Sequence, residues 1–283
     1  VPEDLDRTRP LLLVIHGLEA GPTDIARFRE ACRATGVQLL AFDYPNDGPL
    51  ADAGDHLSDA LRTLARRHPD VRLAVVGHSM GGLVARYVVE MPGKDPGCIT
   101  DLFMLGTPHH GSRLAGGYAF AELTLQVAPA GLKGFRSAMT DGLGEAADDL
   151  SPRSPFLEVL NARPRPAGVR YHVGIGTRSF LDAKQQAALV ADLRRVLAAR
   201  TVEPRTAREW IALLSCDELT DGRGDGAVAV ASAHLKNADS ARTFALNHAE
   251  LLSLPGKRPE SSEIFQWVAA RMRWQLTIGE HDE

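Results

Sequence analysis

One segment constrains the fold of this chain more than any other, because a strand, a turn and a helix follow one another there without a linker. The mostly apolar residues from Val71 to Val76 are typical of a buried strand. The motif Gly77-His78-Ser79-Met80-Gly81 comes next, and residues 80–91 then place their apolar side chains on one helical face. Only a very sharp turn can join a strand to a helix in so few residues.

This turn predicts a serine nucleophile. The pattern G-x-S-x-G between a strand and a helix resembles the nucleophile elbow of the α/β-hydrolases, which holds a strained serine at a helix N-terminus. Side chains at Gly77 and Gly81 would clash with neighbouring backbone in such a turn. We therefore expect Ser79 to be the nucleophile. The alternative is a glycine-rich turn that opens an ordinary helix.

The rest of the chain fits the same fold class, because apolar runs alternate with helical patterns. Leu11–Ile15 is one continuous apolar run, as in a strand that is buried on both faces. The alternation predicts a mostly parallel central sheet with helices on both faces. A chain of 283 residues, 44% of them hydrophobic, is long enough for one α/β-hydrolase domain over residues 1–283.

Two segments interrupt the alternation. Residues 112–166 are rich in Gly, Pro, Ala and Asp and contain no clear strand, which is typical of a lid or cap insertion. Residues 176–215 contain two helical patterns, so we predict a helical insertion there.

Serine catalysis needs two N–H donors for the oxyanion of the tetrahedral intermediate. We expect the first from the backbone of Met80, the residue after the nucleophile. We expect the second from Leu18, because His16-Gly17-Leu18 follows the first strong strand and glycine permits close approach to a substrate. A plain strand-ending turn is the alternative for this second segment.

The chain has ten histidines from which the general base must come. In α/β-hydrolases the chain order is serine, then acid, then histidine. His248 fits this order best, because it follows a short strand and precedes the last helices. His234 also follows the serine, and His172 lies in a strand pattern typical of a structural histidine. His109 and His110 come too early, and we expect them to shape the pocket wall or to be polar loop residues.

Asp225 is the preferred acid. It lies in Gly224-Asp225-Gly226, where flanking glycines suit a carboxylate on a tight loop, and the last strand separates it from His248. Its expected role is to orient the imidazole and to stabilise its charged form. Asp221 is the rival, and a simple turn is the alternative to both.

Four stretches together resemble the bacterial true lipases and related esterases. These are Ile15-His16-Gly17-Leu18, Gly77–Tyr87, Leu105–Ser112 with its G-T-P-H-H-G-S sequence, and Gly224–Val228 with Asn247-His248 downstream. The resemblance implies a triad of Ser79, Asp225 and His248, oxyanion donors at Leu18 and Met80, and a mobile lid. It also implies an ester substrate, either a small molecule or a lipid, and leaves transient contact with a lipid interface open.

The chain departs from these lipases at two positions. Ala231 stands where they often carry a disulfide cysteine, and Glu250 stands where they often carry a calcium-binding aspartate. We find no convincing second calcium ligand, so we predict no metal and no other cofactor.

Composition narrows the partners. A net charge of −4 gives no basic surface for nucleic acid, and no apolar run approaches the ~20 residues of a membrane span. Three cysteines do not make a disulfide framework. The start Val1-Pro2-Glu3-Asp4 has no signal-peptide character, so a mature secreted or envelope form and a cytoplasmic protein both fit. The oligomeric state stays open.

The function that these residues predict is hydrolysis of carboxylic esters through an acyl-enzyme, as in a lipase or esterase. The same triad would also serve an acyltransferase, a thioesterase, or a phospholipid or polyester hydrolase. A catalytically silent binding protein is the alternative from another class, but all three triad residue types are present.

Overall fold

In the part of the chain that the computed structural model describes, six strands form one parallel sheet. The described residues are 2, 4–18, 20–21, 23–45, 48–115, 145–179, 181–199 and 204–272. The strands are β1 (Leu11–Ile15), β2 (Gln38–Phe42), β3 (Leu73–His78), β4 (Ile99–Leu105), β5 (Arg170–Gly176) and β6 (Ser240–Phe244). Their order is β2-β1-β3-β4-β5-β6, and all neighbouring pairs are parallel. This confirms the predicted fold class.

Helices connect the strands and cover the sheet. They are α1 (Ala26–Thr35), α2 (Leu50–Arg67), α3 (Met80–Glu90), α4 (Glu145–Leu150), α5 (Pro155–Asn161), α6 (Ala183–Ala199), α7 (Pro204–Leu214), α8 (Val230–Ala233), α9 (His248–Ser253) and α10 (Glu263–Ala269). The last helix, α10, begins after a separate 3₁₀ turn at Pro259–Ser261, and the side chain of Ser262 caps its N-terminus. No described helix has the length and apolar composition that a membrane crossing needs.

Side chains of β1 alternate between two cores, one on each face of the sheet. Leu11, Leu13 and Ile15 pack with α2 and α3, whereas Leu12 and Val14 pack with α1, α9 and α10. Every position of β1 is therefore buried, which is why the sequence is a continuous apolar run and not an alternation.

The strand order changes direction at β1. The chain runs from β1 to β2 on one side and then places β3 on the other side. At such a switch point the following loops leave in opposite directions and open a crevice beyond the carboxyl ends of the strands. The register places Ile15, the end of β1, beside Gly77 in β3. The residues that follow these two strands are therefore neighbours.

The structure describes the two predicted insertions to different extents. Residues 116–144 of the predicted lid, 112–166, lie outside the described residues, and the lid stays a prediction. After them, α5 packs against α3 through the stacked rings of Phe156 and Tyr87. Within residues 176–215, α6 and α7 share a small apolar cluster with Leu114.

The three cysteines, Cys32, Cys98 and Cys216, are buried free thiols. Burial raises the pKa of each thiol to about 12. Because the thiolate is the reactive form, these side chains behave as small apolar core residues.

A buried ion pair ties α3 to its surroundings. The guanidinium of Arg86 meets the carboxylate of Glu90 through two contacts of 2.8 and 3.0 Å, and both side chains are less than 5% exposed. The Tyr171 hydroxyl also donates to Glu90 (3.0 Å), while Arg86 reaches Asn161 Oδ1 (3.1 Å) and His109 Nδ1 (3.2 Å). The pair therefore joins α3 to β5, to α5 and to the loop after β4.

We expect Glu90→Gln to lower the free energy of unfolding by about 3–5 kcal/mol, because it leaves the Arg86 charge buried without a counter-charge. Glu209→Gln is the matched control, since Arg205 and Glu209 form an exposed pair at the same i,i+4 spacing. That change should cost less than about 1 kcal/mol. Urea unfolding of the parent and both variants measures the difference, and equal losses in the two variants would contradict the expectation.

Candidate active site

Ser79 occupies the sharp turn between β3 and α3. Its backbone has φ 53° and ψ −125°, which is strained for a residue with a side chain. A Cβ atom at Gly77 would lie 2.6 Å from Gly82, and a Cβ atom at Gly81 would lie 2.5 Å from the carbonyl oxygen of His16. Both glycines are therefore required by close backbone approaches, as the motif predicts.

The loop after β1 contacts Ser79 directly. A Cβ atom at Gly17 would lie only 2.8 Å from Ser79 Cβ. Leu18 follows Gly17, and Met80 is the first residue of α3, where N–H groups have no partner within the helix. Neither the Leu18 nor the Met80 N–H donates a hydrogen bond to another described residue. The structure thus brings both predicted oxyanion donors to the turn that carries Ser79.

Asp225 and His248 form a hydrogen-bonded pair. Asp225 Oδ2 and His248 Nδ1 are 2.8 Å apart, and the His248 backbone N–H donates to the Asp225 carbonyl at 2.9 Å. The second carboxylate oxygen, Oδ1, accepts the N–H groups of Ala227 (3.0 Å) and Val228 (2.7 Å). The Asp225 side chain is 1% exposed, and that of His248 is 17% exposed. The carboxylate is thus fully bound, with one oxygen directed at the imidazole.

The end of β4 lies between this pair and Ser79. A Cβ atom at Gly106 would lie 3.1 Å from both Asp225 Oδ2 and His248 Nδ1. The preceding residue, Leu105, accepts a hydrogen bond from the Ser79 N–H at 2.8 Å. Ser79, His248 and Asp225 therefore all lie around the end of β4, at the carboxyl edge of the sheet.

The Ser79 hydroxyl forms no hydrogen bond with His248 or with another described residue. In enzymes without substrate, catalytic hydrogen bonds are often long or poorly aligned and tighten when substrate binds. The ring nitrogen that faces away from Asp225, His248 Nε2, is the one left to accept a proton.

His78 is the residue near the site that sequence reasoning missed. Its Nε2 lies 2.9 Å from the His248 carbonyl oxygen, and the two rings have centroids 4.8 Å apart. Burial, followed by the neighbouring His248, lowers the pKa of His78 to about 3. The only signal in the sequence was its position between Gly77 and Ser79, which does not identify a partner 170 residues away.

The alternative candidates for the acid and for the base lie elsewhere and have other surroundings. Asp221 is exposed and accepts the N–H of Ser179 at 3.2 Å. His172 is buried between Asp101 Oδ1 (3.1 Å) and Ser240 Oγ (2.8 Å). His234 is exposed near the end of α8.

The two histidines of the loop after β4 differ. His109 belongs to the buried network around Arg86, whereas His110 lines a cavity of about 370 Å³ beside the Asp225 loop. Other residues that line this cavity are Arg113, Asp217, Glu218, Ala229 and Ser232. Ser79, Asp225 and His248 do not line it, so this cavity adjoins the serine site without containing it.

The surroundings of Glu250 do not suit calcium. Its carboxylate accepts hydrogen bonds from the Arg178 guanidinium and from the Asn247 N–H, and its own N–H donates to the Asn247 side chain. The carboxylate is therefore already neutralised by a cation of the protein. Among the described residues, no group of three or more His, Cys, Asp or Glu side chains is placed to hold a metal ion.

Comparison with known proteins agrees with this fold. Residues 46–201 match the PGAP1-like alpha/beta domain. A putative GPI inositol-deacylase C of Yarrowia lipolytica is 32% identical over 65 residues, which are 21% of this chain and 8% of that protein. A triacylglycerol lipase of Pseudomonas fragi is 28% identical over 170 residues, which are 58% of this chain and 52% of that protein. The chain thus spans about half or less of these relatives.

Among solved structures, the mature form of a Bacillus licheniformis lipase superposes with a TM-score of 0.60 at 19% identity, and the match covers 89% of each chain. At this identity the match establishes the fold. Together these findings confirm the α/β-hydrolase fold and the resemblance to lipases and esterases.

We expect acid to destabilise the protein through buried neutral histidines. His78 has a folded pKa of about 3 against 6.5 for a free imidazole, and burial also lowers the pKa of His109 well below 6.5. Below pH 6.5 the unfolded chain therefore binds more protons than the folded one, so stability falls as the pH falls.

At pH 5 the neutral His78 lowers the free energy of unfolding by on the order of 2 kcal/mol. Between pH 6.5 and the folded pKa, each pH unit changes this free energy by about 1.4 kcal/mol. Urea unfolding at pH 7.5 and pH 5 should show a smaller pH effect in His78→Gln than in the parent, by about this amount. Identical pH effects in the two proteins would refute the assignment.

Proposed function

Because this chain belongs to the family of PGAP1-like alpha/beta domains, we propose that it is an ester hydrolase with a triad of Ser79, His248 and Asp225. The observation that carries the proposal is the Asp225–His248 pair, at 2.8 Å, at the same sheet edge as a serine in a nucleophile elbow. A base oriented by a buried carboxylate beside a strained serine is the arrangement that acyl transfer requires.

In the acylation step, Ser79 Oγ forms a bond to the ester carbonyl carbon while His248 Nε2 accepts the hydroxyl proton. The carbonyl electron pair moves onto oxygen, and the N–H groups of Leu18 and Met80 stabilise this oxyanion. When the oxyanion collapses, the bond to the alcohol oxygen breaks. His248 returns the proton to that oxygen, and the acyl group stays on Ser79.

In the deacylation step, water takes the place of the alcohol. His248 removes a proton from water as its oxygen attacks the acyl carbon, and the same oxyanion donors act again. The collapse returns the proton to Ser79 Oγ and releases the carboxylic acid. Throughout, Asp225 accepts a hydrogen bond from the His248 Nδ1–H group, and its negative charge balances the charge of the imidazolium.

For the substrate we propose an acyl ester of a lipid. The names of the relatives support this class, since one is a triacylglycerol lipase and another a putative GPI inositol-deacylase. Those names share acyl removal and differ in the alcohol, which is glycerol in one and inositol in the other. An acyl ester of an inositol-containing lipid is therefore the second candidate, and family membership favours it.

We expect Ser79→Ala to abolish both covalent labelling and turnover, because no other side chain replaces the nucleophile. The parent should react with a fluorophosphonate at Ser79 and cleave p-nitrophenyl esters from acetate to palmitate. The variant should lose at least about 10³-fold in kcat. The measurements are intact mass and nitrophenol release. A variant that keeps full activity would show that the nucleophile lies elsewhere.

We expect Asp225→Asn to lower kcat by about 10⁴-fold, because an amide favours the wrong tautomer of His248. Asp221→Asn is the matched control, since Asp221 is the rival acid in the same loop and contacts Ser179 instead. That variant should keep kcat within about twofold of the parent. If Asp221→Asn shows the larger loss, the two aspartates have been assigned the wrong way round.

A further inference from the structure

His78 links the nucleophile to the base through the backbone. It is the last residue of β3, directly before Ser79, and its Nε2 lies 2.9 Å from the carbonyl oxygen of His248. This hydrogen bond connects β3, the strand that precedes Ser79, to the first turn of α9. The Ser79 hydroxyl itself forms no hydrogen bond with His248.

The protonation of His78 follows from its partners. A carbonyl oxygen can only accept, so Nε2 must carry a hydrogen. The other ring nitrogen, Nδ1, is buried and has no hydrogen-bond partner among the residues that the structure describes. The residue is 6% exposed, and the ionisable groups that act on its ring are His248, Asp225 and His16. Burial lowers its pKa to about 3, so His78 is neutral at neutral pH.

We propose that His78 is a positioning residue that holds the backbone of His248 by donating its Nε2 hydrogen to the His248 carbonyl. This inference rests on the proposed function, in which His248 is the base. The His248 N–H is already bound to the Asp225 carbonyl, so the donor from His78 fixes the second backbone polar group of the same residue. A base fixed at both backbone groups keeps its imidazole in place relative to Ser79.

The test compares three variants with the parent. His78→Met removes the donor and keeps an apolar side chain of similar volume. His78→Gln keeps an N–H donor at a similar distance from the backbone. His68→Met is the matched control, because His68 is a mostly buried histidine whose Nε2 contacts the carbonyl of Pro2, far from the carboxyl edge of the sheet.

We expect His78→Met to lose about 10- to 100-fold in kcat on a p-nitrophenyl ester with KM within about twofold, because a displaced base slows the chemistry more than it weakens binding. His78→Gln should recover most of that loss. His68→Met should lower the melting temperature without lowering kcat. From pH 5 to 9 the His78→Gln profile should keep the shape of the parent profile, since a neutral residue contributes no titration.

Three results would overturn the inference: a His78→Met variant with kcat within twofold of the parent, a His78→Gln variant as impaired as His78→Met, or an equal kcat loss in His68→Met. Failure of the parent to react with fluorophosphonate would count against the proposed function instead.

The hydrogen bond can also be tested by NMR on the parent protein, without an activity assay and without the His78→Met variant. Imidazole ¹⁵N shifts of the parent at pH 5 should show His78 neutral, with hydrogen on Nε2 and none on Nδ1. A protonated His78 at pH 5, or hydrogen on Nδ1, would refute the proposed hydrogen bond.

Discussion

The turn at Ser79 can form only where two parallel strands end side by side and their following residues approach without side chains. The register of β1 and β3 places Ile15 beside Gly77, and the loop after β1 then runs against the first turn of α3. Gly17 and Gly81 leave just enough room for these contacts. The strained backbone of Ser79 persists because the surrounding sheet over-determines it. The packing of the loop after β1 against α3 therefore places Ser79 at the end of the sheet, with Leu18 and Met80 beside it.

The carboxylate of Asp225 depends on contacts of another kind. A buried charge is costly unless its lone pairs are bound, and here two backbone N–H groups occupy one oxygen while the imidazole occupies the other. These donors come from a loop of only a few residues, which leaves little freedom for the carboxylate to rotate. The carboxylate is therefore held in one orientation toward the His248 imidazole.

Sequence reasoning succeeded where the signal is local. The apolar runs predicted the strands, and the G-x-S-x-G motif between a strand and a helix predicted the turn at Ser79. It fell short where the deciding contact is distant. Helix α2 begins at Leu50, whose N–H donates to the side chain of Asp149, 99 residues away, and no local pattern in the sequence indicates this contact. The contact of His78 with His248 likewise joins residues 170 positions apart, which spacing does not reveal.

Distant contacts matter for His248 because it lies in a very short helix, α9. It has six residues, and a helix so short is not stable through its own hydrogen bonds. Its start is fixed by a capping box between Asn247 and Glu250, and Glu250 also binds the guanidinium of Arg178 from the loop after β5. Asp225 and His78 hold the two backbone polar groups of His248 from other directions. The position of the imidazole therefore depends on tertiary contacts from β3, from the Asp225 loop and from the loop after β5, so a change in any one of these elements would act on the proposed base.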